Sequence, residues 1–259
     1  MPKFAANLSY LFSEVPFPER FARAAAAGFR AVEFMFPYDY APEQVAGWLR
    51  TNGLELVLFN LPPGDWAAGE RGLVCLRGRE GEFAASVETA ARYARVLGCR
   101  QVHAMSGLRP EREAEAATRA RAIANLRHAA TRLAADGIRL LIEPINSRID
   151  MPGYWLDHPA LAFALLDEIG HANLAIELDL YHAHVISGDA GQWLENRFGD
   201  IAHVQIADHP GRHEPGSGEI DYGHLLSRLD TLGYRGWVGC EYRPMTTTEA
   251  GLTWMRRWQ

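Results

Sequence analysis

Short apolar runs recur along the whole chain, and between them lie longer stretches with apolar positions three and four residues apart. The runs KFAANL (3–8), AVEFMF (31–36), ELVLFN (55–60) and RQVHAM (100–105) have the length and content of strands. RLLIEP (139–144), LAIELD (174–179), AHVQIA (202–207) and WVGCEY (237–242) continue the series. Intervening segments such as FPERFARAAAAGF and EGEFAASVETAARYARVLGC are rich in Ala, Leu and Arg and read as amphipathic helices. Gly28, Gly53, Gly98, Gly137, Gly170 and Gly233 each fall a few residues before the next strand, where a left-handed helix cap belongs. Strands that are apolar on both faces and alternate with helices predict an α/β fold, a (β/α)8 TIM barrel. An open doubly wound sheet fits less well, because no GxGxxG follows the first strand. No linker or composition break divides residues 1–259, so a single domain is expected.

The polar exceptions to this pattern carry the chemistry. The fifth predicted strand ends at Glu143, the sixth at Asp179, the seventh near Gln205 and the eighth at Glu241. In a barrel those ends surround the mouth where active sites lie. A carboxylate closing an apolar run is costly to bury unless its charge is compensated. Four oxygen donors, three of them anionic, suit a hard divalent cation such as Mg2+ or Mn2+. Glu143, Asp179, Gln205 and Glu241 are therefore the expected metal ligands. A salt bridge to arginine would explain one of these carboxylates, but it explains four aligned strand ends poorly. The two longest irregular segments, 60–80 and 207–223, each follow a predicted strand and belong on the same face.

Composition narrows the classes. The chain has 259 residues, 48% of them hydrophobic, which is enough for one large core. Its formal charge is −6 with both signs mixed, so no nucleic-acid partner is expected. Cys75, Cys99 and Cys240 are odd in number and form no CxxC, which points to reduced thiols. Cys240 precedes Glu241 and should face the helices, as a packing residue. No run reaches the roughly 20 apolar residues that cross a bilayer. The opening MPKFAANLSYLF lacks the pattern of a secretory signal, so a cytoplasmic protein without a membrane partner is expected.

The stretches FAANLSYLF, VEFMFPYDY, NLPPGDWAAGERG, IEPIN, HVQIAD, GRHEPGSGEIDY and GCEYRPMTTTEAGL run nearly end to end. Through them the chain resembles the hydroxypyruvate isomerase family of the xylose-isomerase-like barrels. The resemblance implies that the cation is held by Glu143, Asp179, Gln205 and Glu241. It also implies that Glu143 and Glu241 are the catalytic acid/base pair. The substrate it implies is a small hydroxy-oxo acid, and homo-oligomers are common in the family. Related proteins isomerise 2-oxo-tetronates, but IEPINSRIDMPGYW and GERG look closer to the hydroxypyruvate group. His182 matches a histidine that contacts substrate in related epimerases; it is equally well placed to orient Asp179. Arg212, in the long seventh loop, is the expected partner of the substrate carboxylate. Glu70 and Trp66, in GDWAAGERG, are candidates for a lid over the substrate, and a folded loop with a packed Trp fits them at least as well.

Other polar residues receive plainer readings. His209 and His213 stand on a Pro- and Gly-containing loop and are not expected on the cation. Glu177 shares strand parity with Asp179 and should point into the barrel as a lower ion-pair partner. TTTEAGLTWMRRW reads as a capped terminal helix. Three rivals remain: a zinc-dependent DNA-repair endonuclease of the same superfamily, a non-catalytic sugar-acid sensor, and a ketose 3-epimerase. The first needs a histidine cluster and a basic face. The last typically carries histidine where this chain has Gln205.

Overall fold

A computed structural model describes residues 2–258. Eight parallel strands follow one another around a closed barrel: β1 (Lys3–Asn7), β2 (Ala31–Phe34), β3 (Glu55–Asn60), β4 (Gln101–His103), β5 (Arg139–Ile142), β6 (Leu174–Asp179), β7 (Ile201–Ile206) and β8 (Trp237–Cys240). β1 pairs with both β2 and β8, which closes the ring. Outside it run α1 (Phe17–Ala26), α2 (Pro42–Asn52), α3 (Glu80–Leu97), α4 (Glu115–Ala134), α5 (Pro159–Ile169), α6 (Leu180–Ser187), α7 (Gly191–Arg197), α8 (Tyr222–Thr231) and the short α9 (Thr248–Gly251). No helix among these residues is long and apolar enough to cross a membrane.

Every expected strand is present, but several stop early. β2, β4, β5 and β8 end two or more residues before their apolar runs do, so Glu143 and Glu241 lie just past the last paired residue. After Glu143 comes Pro144, which has no N–H to extend the ladder. The expected terminal helix is also shorter: α9 gives way to 3-10 turns over Leu252–Trp258. The six glycines proposed as helix caps all have positive φ, as at Gly53 (62°) and Gly98 (69°). Helix starts follow local chemistry too. In α5 the His158 side chain accepts from the Ala160 N–H, and Pro159 opens the first turn.

The outer strand faces and inner helix faces form one continuous core. Phe17, Phe21 and Trp48 interlock there, with ring centroids 5.3 Å apart for Phe17–Phe21 and 5.5 Å for Phe21–Trp48. Such pairs add about 0.5–1.5 kcal/mol each beyond burial and hold α1 and α2 to the barrel. Cys240 lies in this outer core, on the helix side. Inside the barrel a smaller cluster of Ala5, Ala31, Leu141 and Ala175 fills the N-terminal end. Two residues further along the same strands come Asn7, Glu33, Glu143 and Glu177, which the strand period of two also turns inward. The lumen therefore changes from apolar to polar within one step.

Candidate active site

Glu33 organises the lower polar tier. Its carboxylate accepts from Asn7 Nδ2 at 2.9 Å and Gln205 Nε2 at 2.7 Å on one oxygen. His203 Nε2 lies 2.7 Å from the other oxygen. These partners come from two other strands, β1 and β7, so Glu33 ties the ring across its middle. Space for it exists only because β8 carries Gly239: a Cβ there would stand 2.3 Å from Glu33 Oε1. No left-handed backbone is required at Gly239, so its role is room. Glu33 is not among the expected site residues, although a charge inside AVEFMF is the same signal as Glu143 inside RLLIEP.

The upper tier inherits its orientation from this network. Asn7 Nδ2 and Gln205 Nε2 each also donate to Glu241 Oε2, at 2.8 and 2.7 Å. Because the Gln205 NH2 faces two carboxylates, its oxygen must face the other way. Gln205 Oε1 is buried there without a hydrogen-bond partner, as are Glu143 Oε1 and Asp179 Oδ2. Orphaned buried oxygens are rare because each costs about 1–3 kcal/mol. Three of the four expected ligands thus offer an unused oxygen, which fits a hard cation. Burial, then Glu241 and Asp179, push Glu143 well above the usual carboxylate range. Burial raises Asp179 to about 6 and Glu241 to about 8, against the pull of Arg212 in both cases.

Asp179 has a second function. It ends β6 and caps α6 directly, accepting from the N–H of Tyr181 at 2.8 Å and of His182 at 3.4 Å through Oδ1. The helix N-terminus favours this carboxylate, and the cap leaves Oδ2 open. It also sets His182 within the site. His182 Nε2 lies 3.8 Å from Glu143 Oε1 and 3.7 Å from Asp179 Oδ2.

Asn146 fixes what His182 can do. Its oxygen accepts from the backbone N–H of Ile149 at 2.9 Å and of Asp150 at 3.2 Å. That pins the amide, so its NH2 faces Asp150 Oδ2 at 2.8 Å and His182 Nδ1 at 2.7 Å. Nδ1 must then accept, and the ring proton sits on Nε2, toward the cavity. Burial keeps the ring neutral by pulling it well below the usual histidine range. The three groups Glu143, Asp179 and His182 lie close enough to suggest a ligand set. The tautomer argues otherwise: a protonated Nε2 donates and does not coordinate.

Beneath them His103 Nδ1 lies 3.6 Å from both Glu143 Oε2 and Glu177 Oε2. Burial lowers His103 to about 3, so it is neutral. Glu177 points inward as expected but forms no ion pair with it. Burial and the nearby Glu143 push Glu177 well above the usual range.

His103, Glu143, Glu177, His182 and Glu241 open into a cavity of about 230 Å3, below the roughly 300–1,000 Å3 of drug-sized sites, whereas Asp179 and Gln205 are not among its lining residues. Glu143, Glu241, His182, Arg212 and Trp66 all line it. Glu70 does not: Arg79 holds its carboxylate at 2.5 and 3.1 Å, and the N–H of Asp65 donates to it at 2.6 Å, so it braces its own loop. Arg212 is buried in the wall but already engaged. One terminal nitrogen pairs with Glu241 and the other with Asp150 at 3.1 Å, between the rings of Tyr10 and Tyr181. The expectation of an arginine open to a substrate carboxylate is therefore not met by Arg212 as it stands. His209 and His213 line no part of this cavity. Their loop is organised by the buried Asp208, which accepts from the N–H groups of His209, Gly216, Gly218 and Ile220.

Comparison with known proteins follows the same lines. A family model described as xylose isomerase-like TIM barrel matches residues 21–258. A 2-oxo-tetronate isomerase from Cupriavidus necator is 50% identical over 256 residues, covering 99% of this chain and 98% of that protein. A hydroxypyruvate isomerase from Escherichia coli is 49% identical over 255 residues, covering 98% of each. A crystal structure described as an AP endonuclease of family 2 from Brucella melitensis superposes with a TM-score of 0.97 at 50% identity, over 100% of both chains.

Proposed function

The chain belongs to the xylose isomerase-like TIM barrel family, and from that premise we propose that it interconverts hydroxypyruvate and tartronate semialdehyde. The observation that carries this reading is the meeting of Glu143 and Glu241 in one small cavity, with buried oxygens of Glu143, Asp179 and Gln205 left without hydrogen-bond partners. The reaction exchanges a carbonyl and a hydroxyl between neighbouring carbons. A proton leaves the carbon bearing the hydroxyl, an enediolate forms, and a proton returns to the adjacent carbon.

Glu143 and Glu241 are the groups proposed to take and return that proton. His182, held as the Nε2–H tautomer, donates to a substrate oxygen on which charge develops. Arg212 balances Glu241 and Asp150, so the acid/base pair stays in place when the site fills. Glu143, Asp179, Gln205 and Glu241 would hold a divalent cation, Mg2+ or Mn2+. Such a cation supplies electrostatic stabilisation of the enediolate charge.

A second reading, isomerisation of a 2-oxo-tetronate, is favoured by the 50% identical relative of that name. It needs the same proton transfer on a substrate one carbon longer. A nuclease reading draws on the relative described as an AP endonuclease. It gains little support from a chain with formal charge −6 and an oxygen-rich donor set. The test is turnover by metal-stripped protein with and without Mg2+ or Mn2+, followed by NMR in D2O. Metal-dependent tartronate semialdehyde carrying solvent deuterium, with kcat reduced about 10²–10⁴-fold in Glu143→Gln and Glu241→Gln, is the expected result. Folded, metal-loaded protein that turns over 2-oxo-tetronates or free ketoses but not hydroxypyruvate would overturn the first assignment.

A further inference from the structure

We propose that Arg71 receives the substrate carboxylate, so that the loop after β3 selects acids over neutral ketoses. This rests on the oxo-acid reading above and adds the residue that would enforce it. Three arginines line the cavity: Arg71, Arg212 and Arg243. Arg212 is paired with Glu241 and Asp150, and drawing it away would leave two crowded carboxylates without their counter-charge. Arg243 is exposed at the rim and no side-chain hydrogen bond orders it among the described residues.

Arg71 differs from both. Its Nη1 donates to the carbonyl oxygens of Trp66 at 3.1 Å and Glu70 at 2.7 Å. Its guanidinium carbon lies over the Trp66 ring, 4.0 Å from the centroid. The neighbouring acid, Glu70, is held by Arg79, and among the described residues no carboxylate pairs with Arg71. The Nε and Nη2 edge is therefore unused. That edge has the geometry to grip a carboxylate through two parallel hydrogen bonds.

The backbone beneath is equally fixed. Gly107 N–H donates to the Arg71 carbonyl at 3.1 Å, and Gly72 bridges to Ser106. A Cβ on Gly72 would stand 2.1 Å from the Met105 oxygen, so only glycine lets the loop dock this closely. A half-buried cation that is held over an aromatic ring, anchored at one nitrogen and without an acid partner is preorganised for an anionic ligand.

The experiment uses magnesium-loaded protein and calorimetric titration with D-glycerate, an unreactive three-carbon acid, against glycerol as its uncharged counterpart. Arg71→Gln is expected to weaken D-glycerate on the order of 10²-fold, with Arg71→Lys intermediate because a point charge keeps attraction but loses the fork. Glycerol binding and the melting shift caused by Mg2+ should not change. In turnover, KM for hydroxypyruvate should rise by a similar factor while kcat moves much less. D-glycerate affinity undiminished in Arg71→Gln, or lost instead in Arg243→Gln, would overturn the assignment to Arg71 alone. Wild-type protein that binds neither D-glycerate nor hydroxypyruvate would overturn the oxo-acid reading and this inference together.

Discussion

Gly239→Ala should be among the most damaging single-methyl changes in this protein, and the reason lies two strands away. The new Cβ would meet both oxygens of Glu33, at 2.3 and 2.5 Å. Glu33 cannot yield freely, because Asn7, Gln205 and His203 hold its carboxylate at 2.7–2.9 Å. Overpacking of this kind costs about 1–3 kcal/mol. Each hydrogen bond to a buried charge that breaks adds about 1.5–3 kcal/mol, not fully additively. A loss of about 4 kcal/mol is the expected total, which at ~2–4 °C per kcal/mol lowers Tm by roughly 8–16 °C. The assay is thermal and urea unfolding of metal-free protein by circular dichroism, in the wild-type and Glu33→Ala backgrounds. With Glu33 shortened the methyl has room, so the same change should then cost under about 1 kcal/mol. Equal cost in both backgrounds, or a cost below about 1 kcal/mol in the wild type, would refute the steric argument.

Other outcomes follow from the same geometry. Saturating Mg2+ or Mn2+, at about 100 times its Kd, should stabilise metal-stripped protein by ~2.7 kcal/mol, a melting shift of roughly 5–11 °C, and Asp179→Ala should abolish it. Asn146→Asp should turn the His182 ring to the Nδ1–H tautomer, since a carboxylate there accepts instead of donating. Nitrogen-15 shifts of His182 report this directly, and unchanged shifts would remove Asn146 as the group that sets the tautomer. Burial raises the Cys75 and Cys99 thiols to about 12, and pushes Cys240 up as well. At pH 8 the thiolate fraction of the first two is on the order of 10⁻⁴, so a disulfide reagent should titrate no thiol until the protein unfolds.

Much of this was legible along the chain. A strand buried on both faces must be apolar, so a carboxylate at its end stands out without any structure, and Glu143, Asp179 and Glu241 were found that way. Helix caps were equally local, because a left-handed residue is cheap only for glycine. The same signal also marked Glu33, His103 and His203, each a polar residue inside an apolar run. Their meaning was hidden because partners such as Glu33 and His203 stand 170 positions apart.

Periodicity and composition therefore determined the barrel, its strand order and the ring of oxygen donors at its mouth. These depend on short-range rules of burial and backbone geometry that any segment carries within itself. Tertiary structure alone decided which charges are already balanced. It joined Arg212 to Glu241 and Asp150, left Arg71 with an unused edge, and turned Glu70 away to Arg79. Charge balance is a matter of distances across the fold, and those come into being only when the barrel closes.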